Sequence, residues 1–500
     1  MRDVSEPPNI GPWASRWQAR TARLREIEAV LEAAPDSPLD LWFERARLLE
    51  ELALREDAQR AYLDVLVRDR THFGAMMSLG LLLATSGDVK SARIVFAEAV
   101  LRHPERAVAH VSLGNVLLDE NDAEGARASF AAALERDPAQ REAYRGLAIS
   151  YERSGDYEAA ERAWRQGFPD GSVAVAPYRG AGPPVRVLLV AAAIGGNIPI
   201  QHLLDDRVFE VATLVAESYA DSTTLPPHDV VLNVIGDADR SARALDRAAR
   251  ALARTDAPVI NRPEIVRVTG RAANAARFAG LEGVVTPRIA TFARAELGAA
   301  GGAERLSAAG FRFPVLVRAP GYHTGEHFAR VEEPGALRET VAALPGRDVL
   351  AIEYVETRRA DGAWSKYRVM VVDGTPYPLH LAISTQWKVH YFTAAMADNA
   401  AYRDEERAFL TDVRGTLGDG VVAALERIGR AIGLDYFGID FALDREGRVV
   451  VFESNATMVV TGANRDPRWS YRRVAIDRVA EAVRAMLKSR AAQHAGARNG

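Results

Sequence analysis

The chain has no cysteine. Disulfides, thiolate metal sites and a cysteine nucleophile are therefore excluded, and the composition fits a reducing compartment. Long apolar runs are missing too. The longest, residues 187–194, falls far short of the ~20 residues a membrane helix needs. The opening residues MRDVSEPPNIGPW carry no apolar core of a secretion signal, so a cytoplasmic protein without membrane contact is expected. Neither sign of charge dominates: 63 basic and 67 acidic residues leave −4, with no block of basic residues. A nucleic-acid partner has no electrostatic support. HExxH, GxSxG and Walker A patterns are absent as well, which removes the simplest metalloprotease, hydrolase and P-loop assignments. What is present is a 500-residue chain, 48% hydrophobic and 26% charged, long enough for two or three domains.

The first third is periodic. Leu79-Gly80, Leu83, Ala92, Phe96, Ala99 and Pro104 return 34 residues later as Leu113-Gly114, Leu117, Ala126, Phe130, Ala133 and Pro138. The register continues forward through Tyr144, Leu147, Tyr151, Ala160 and Trp164, and backward through Trp42, Leu49, Ala58 and Tyr62. A 34-residue period with these markers is that of the tetratricopeptide repeat. Each repeat is expected to be two antiparallel helices with small residues at the close approach and an aromatic between repeats, and Pro ends the second helix. An all-α repeat solenoid is predicted over residues 1–175, with repeats starting near 39, 73, 107 and 141 and an extra helix over 14–32. Such a domain offers a concave surface to a peptide or protein; a scaffold role or homodimerisation is the alternative.

A Pro- and Gly-rich linker, 176–184, separates this half from an α/β half. Residues 185–193, 209–217, 228–236 and 257–261 read as strands, with a helix over 239–254. This alternation implies a mostly parallel, Rossmann-like sheet over 185–261. Gly195-Gly196-Asn197 lacks the full dinucleotide fingerprint and reads as a tight turn beside a cleft. From residue 262 to 488 the pattern becomes α+β: strands at 313–318 and 348–356, and a hairpin over 366–378 turning at Asp373-Gly374. Residues 489–500 read as a fraying tail.

The segment 436–455 carries the most chemistry. With Glu446-Gly447 as a two-residue loop, Ile439, Phe441, Leu443, Val450 and Phe452 share an apolar face. Asp440 then lies opposite Glu453, and Asn455 is on the same side. Two carboxylates and a carboxamide oxygen at one spot are hard donors of the kind that hold Mg²⁺. Like charges so placed would repel without a cation.

Residues 185–488, which carry this set, resemble the ATP-grasp superfamily, which includes D-alanine–D-alanine ligase, glutathione synthetase and biotin carboxylase. The resemblance implies that Asp440, Glu453 and Asn455 bind Mg²⁺, two ions in that family, with Mn²⁺ as a substitute. It implies that ATP is held by Arg271, Arg318, the backbone of Gly321, Thr324 and Gly325, the adenine hinge Glu353-Tyr354-Val355, and Glu356 on the ribose. Arg368 would stabilise the transferred phosphoryl group. Residues 384–391, with Lys388 and His390, would face the acceptor, and the Rossmann-like part would be the family's preceding subdomain. The chain departs from the family in carrying Arg271 and Arg318 where lysines are usual, and in lacking Pro-Gly after Asn455. The implied activity is an ATP-dependent ligase that activates a small-molecule or peptide carboxylate as an acyl phosphate and joins it to an amine or thiol. A phosphotransferase on the same scaffold and a non-catalytic ATP-binding adaptor are the alternatives. His323, His327 and His380 are further histidines that could meet a substrate.

Overall fold

A computed structural model describes residues 11–171, 173–200, 203–320, 326–389, 396–460 and 466–499. The chain divides into two compact units, residues 1–169 and 170–500.

The first unit is helical. Helix α1 (Gly11–Ala33) precedes four antiparallel pairs: α2 (Leu39–Glu51) with α3 (Arg55–Arg68), α4 (Phe73–Thr85) with α5 (Val89–Arg102), α6 (Ala107–Asp119) with α7 (Ala123–Arg136), and α8 (Arg141–Arg153) with α9 (Tyr157–Gly167). The reason for the small marker residues is steric. A β-carbon at Gly114 would lie 2.6 Å from the Phe130 ring, and one at Gly146, in the following repeat, 2.3 Å from it. Phe130, fully buried, is thus clamped between two backbones. Asp88, Asp122 and Asp156 sit one period apart and cap α5, α7 and α9 by accepting from the N–H groups of Ser91, Gly125 and Ala159. In the outer repeats the aromatic has a polar tip. The Tyr62 hydroxyl donates to Glu50, and the Trp164 indole N–H donates to Glu152 at 3.1 Å. Both acids lie twelve residues before their aromatic, three periods apart. The inner repeats place apolar Phe96 and Phe130 there instead.

Among the described residues the second unit contains three sheets. The first has the order β1-β3-β2-β4-β5, built from β1 (Val173–Val175), β2 (Val185–Ala191), β3 (Phe209–Val215), β4 (Val230–Asn233) and β5 (Val259–Ile260). Strands β2 to β5 run parallel, and β1 is antiparallel to β3. Residues 173–175, assigned from sequence to the repeat half, therefore belong to this sheet: Val173 to Val175 pair with residues 212–214 of β3. With β6 (Val284–Val285), β7 (Ile289–Ala293), β8 (Val315–Arg318), β9 (Phe328–Val331), β10 (Asp348–Glu353), β11 (Trp364–Val372), β12 (Thr375–Ser384), β13 (Tyr436–Leu443) and β14 (Val449–Asn455), the chain builds two more. One is antiparallel, in the order β7-β10-β8-β9, over its own small core that includes Leu306, Val315, Val341 and Val349. The other, β12-β11-β13-β14-β6, shares a large core with the first sheet. Asp373-Gly374 forms the β11–β12 turn with both residues at positive φ, 48° and 79°, the conformation of a type I′ hairpin. Residues 489–499 do not behave as a separate tail. The helix Arg472–Asn499 runs through them, and Arg490 bonds Asp373 at 2.7 Å and Asp435 at 3.3 Å.

Candidate functional site

The β13–β14 hairpin corrects one sequence expectation and preserves its consequence. The loop is residues 444–448 rather than the dipeptide Glu446-Gly447: Leu443 pairs with Val449. The Asp444 carboxylate closes this loop by accepting from the N–H groups of Glu446 and Arg448 and from the Arg448 guanidinium. The longer loop shifts the register by one, pairing Phe441 with Val451. A bulge at Phe452 then shifts it back, so Asp440 faces Glu453.

A cavity of about 700 Å³ lies between the second and third sheets, with the first sheet contributing one end. Its apolar part is lined by Ile289, Leu316 and Ile352, next to Glu353, Tyr354 and Val355. Its polar wall carries Arg271, Arg318, Lys366, Arg368, Asp440 and Glu453. These six residues come from a helix and four strands separated by up to 182 positions.

Asp440 is 2% exposed. Arg368, its register partner on β11, donates Nε to Oδ1 at 2.6 Å and Nη2 to Oδ2 at 2.8 Å. Lys366 Nζ donates to Oδ2 at 3.0 Å. Burial pushes the Asp440 carboxyl up, but the charges of Arg368 and Lys366 and the Arg368 hydrogen bond outweigh it and hold the group well below the usual carboxylate range. Glu453 accepts from Arg271 Nη2 at 2.9 Å and from Asn455 Nδ2 at 2.9 Å. Arg271 also donates Nη1 to the Phe452 carbonyl at 2.8 Å, exploiting the bulge. Asn455 Oδ1 accepts from the Thr457 N–H at 3.0 Å and hydroxyl at 2.8 Å. Arg318 ends β8 with its guanidinium 5.8 Å from the Phe328 ring centroid. Burial, then the nearby Arg271, pull its pKa down. His380 on β12 is opposite Arg368. Burial, followed by the charge of Arg368, drives its pKa well down, so the imidazole is neutral.

The remaining sequence-predicted residues divide. The Glu353 carboxylate accepts from the Arg288 N–H at 3.0 Å. Glu356 is engaged locally, accepting from the Tyr354 hydroxyl at 3.2 Å and the Arg358 N–H at 2.8 Å. Lys388 lines the cavity from the loop beyond β12 and donates to the Phe328 carbonyl at 3.3 Å. Gly321, Thr324, Gly325, His323 and His390 lie outside the described residues.

The structure adds residues that the sequence reading did not select. Lys366 is two positions before Arg368 on a strand, so its shared face was readable. Arg472, 8% exposed, lines the cavity while bonding buried Glu406 through Nε and Nη2. The loop after β4 approaches the hairpin so closely that a β-carbon at Gly236 would lie 2.9 Å from Thr457 and from the Ala456 carbonyl carbon. No sequence signal marks either long-range placement.

The donor chemistry fits a hard cation and a polyphosphate. The Asp440 and Glu453 carboxylates are oxygen donors suited to Mg²⁺; Asn455 turns Nδ2 to Glu453 and Oδ1 to Thr457, so its oxygen would join them only after the amide turns, and the four cations exceed the two carboxylates by two charges. Among the described residues no group of three or more His, Cys, Asp or Glu side chains is arranged as a metal site by itself, so a metal here would share its shell with the amide and with ligand oxygens.

Residues 43–107 and 111–171 match the tetratricopeptide repeat family. No curated protein matches the chain. Among solved structures, MamA from Desulfovibrio magneticus RS-1 is 20% identical, with 32% of this chain and 90% of that one covered and a TM-score of 0.29. YrrB, described as a tetratricopeptide protein with an unusual peptide-binding site, is 18% identical, covering 31% and 79%, with a TM-score of 0.28. A tetratricopeptide repeat protein from Parabacteroides merdae is 17% identical, covering 30% and 59%, with a TM-score of 0.29. By the family match, the N-terminal unit is a tetratricopeptide repeat domain, and a mixed α/β region with several sheets follows it. Among the described residues no helix is long and apolar enough to cross a membrane.

Proposed function

We propose that the second unit is an ATP-dependent ligase of the ATP-grasp type, activating a carboxylate and joining it to an amine or thiol, and that the repeat unit binds a peptide or protein partner. The observation that carries the reading is the wall on which Arg271, Arg318, Lys366 and Arg368 surround Asp440 and Glu453 beside an apolar recess. An apolar recess next to a cationic wall is what a base with a polyphosphate requires. Asp440, Glu453 and Asn455 would hold Mg²⁺, and Arg271 and Arg318 the non-transferred phosphates. Arg368 would face the transferring group. Bound Mg²⁺-ATP supplies an activated phosphoryl group for the substrate carboxylate. The protein's share is positioning and charge neutralisation.

The test is ADP release from ATP and Mg²⁺ in the presence of pooled amino acids and small carboxylates. Substrate-stimulated release should fall by at least ~100-fold in Glu453→Ala, the size of effect expected for one preorganised electrostatic group. Mg²⁺-ATP binding with no release from any pool would favour a nucleotide-binding adaptor. That second reading draws on the ion pairs that already occupy both carboxylates. Absence of Mg²⁺-ATP binding would sink the assignment.

A further inference from the structure

Lys366 is the cation on this wall with no role in the reading above, and its position is informative. It stands at i−2 from Arg368 on β11, so the two side chains project from one face. Both reach the same carboxylate: Lys366 Nζ is 3.0 Å from Asp440 Oδ2, which also accepts from Arg368 at 2.8 Å. Neither is freely hydrated, with side-chain exposures of 16% and 21% against 3% for Asp440. Two partly buried cations thus share one buried anion, and the neutral His380 on the neighbouring strand adds no charge. A divalent ion held by Asp440 would compete for the oxygens that these cations use. Once that carboxylate is committed to a metal, the partly desolvated Lys366 needs a new anion.

We infer that Lys366 is the receptor for an anionic group, carboxylate or phosphate, of the second substrate, and that it is released to that group when a metal-bound nucleotide takes Asp440. The inference rests on the nucleotide reading above. It makes binding ordered, with metal–nucleotide first and the anionic substrate second. Because coupling between sites is reciprocal, the anion must tighten metal–nucleotide binding by the factor that metal–nucleotide tightens the anion.

The experiment is titration calorimetry on the full chain with ADP, Mg²⁺ and inorganic phosphate as the probe, so that no turnover occurs. In the wild type, phosphate should bind on the order of tenfold more tightly with saturating Mg²⁺-ADP than without nucleotide. Lys366→Met should lose that enhancement. It should also bind Mn²⁺ several-fold more tightly in the ADP complex, because a competing cation is gone. A lysine that only pairs with Asp440 would give the same Mn²⁺ gain but leave the phosphate enhancement unchanged. Arg368 still holds Asp440 through two hydrogen bonds in this variant, and Lys366→Gln provides a second, polar replacement. Lys366→Arg should retain the phosphate enhancement. Equal phosphate affinity in wild type and Lys366→Met, or equal affinity with and without Mg²⁺-ADP, overturns the inference while leaving the nucleotide reading intact. Failure of the wild type to bind Mg²⁺-ADP removes both.

Discussion

The two units bury different chemistry. In the repeat unit the interior is alanine, leucine and aromatic rings, and the only buried polar side chains among the described residues are Thr21, His110 and Ser150. In the second unit Glu217, Glu406, Asp440 and Arg472 are all buried, together with His380 and several amides and hydroxyls. A repeat array gains its stability from nearest-neighbour apolar packing and needs nothing charged inside. Buried charges cost free energy unless paired, so they are weak evidence of stability and better evidence of a site. The contrast predicts that the repeat unit responds to changes in volume and the second unit to changes in charge.

The largest expected effect breaks the apolar side of this comparison. Phe130 lies between Gly114 and Gly146, neither of which has a side chain that can relax into a void. Phe130→Ala should therefore cost near the top of the ~3–5 kcal/mol range for aromatic truncation in a core. Denaturation followed by circular dichroism should show the loss with the same size at pH 7 and pH 5. A cost under ~1 kcal/mol would mean that the repeats collapse around the gap.

The charged side is broken by pH. Burial, reinforced by Arg368, Lys366 and Arg472 and opposed by Asp440, keeps His380 neutral in the folded protein. Its folded pKa lies below the unfolded value of ~6.5, so below that pH the unfolded chain binds a proton that the folded chain refuses. Stability from this residue is thus complete above about pH 6.5 and is lost as pH falls, with a limiting slope of ~1.4 kcal/mol per pH unit. Asp440 has the depressed pKa of a paired carboxylate, and its own contribution is lost only below about pH 4. Between pH 6.5 and pH 5, His380→Gln should flatten the pH dependence of the denaturation midpoint. An unchanged slope in that variant would show that His380 takes up its proton in the folded state.

The same contrast explains what was readable in the sequence. The repeat half was legible because one period fixes partner, spacing and cap: α2, α4, α6 and α8 begin at residues 39, 73, 107 and 141. In the second half, alternation was enough to place Asp440 opposite Glu453, but not to foresee the loop and bulge whose offsets cancel. The ion pairs were not foreseen either. Arg271, Lys366 and Arg368 meet these carboxylates across 72 to 182 positions, and no periodic signal spans such separations. Lys366 could have been selected from its i−2 relation to Arg368. Arg472 and the loop at Gly236 depend on how separate sheets and a long helix come together. The strand at 173–175 is invisible in the sequence because three residues carry no pattern of their own; its partner in β3 decides its place.

The smallest effect sharpens the comparison within the repeats. Asp122 is charged, yet its role is local: it accepts from the Gly125 N–H at 2.9 Å and caps α7 from an exposed position. Its carboxylate also meets the positive end of the helix. Replacing such a cap by alanine costs ~1 kcal/mol, well below the cost of emptying the Phe130 site on the same helix. Asp122→Asn, which keeps the acceptor and drops the charge, should recover most of that loss, because asparagine and aspartate cap almost equally well. Chemical denaturation of the two variants side by side checks this. If Asp122→Asn were as damaging as Asp122→Ala, the charge itself would matter to the repeat unit, and the division between a packing-driven and a charge-driven half would fail at its simplest point.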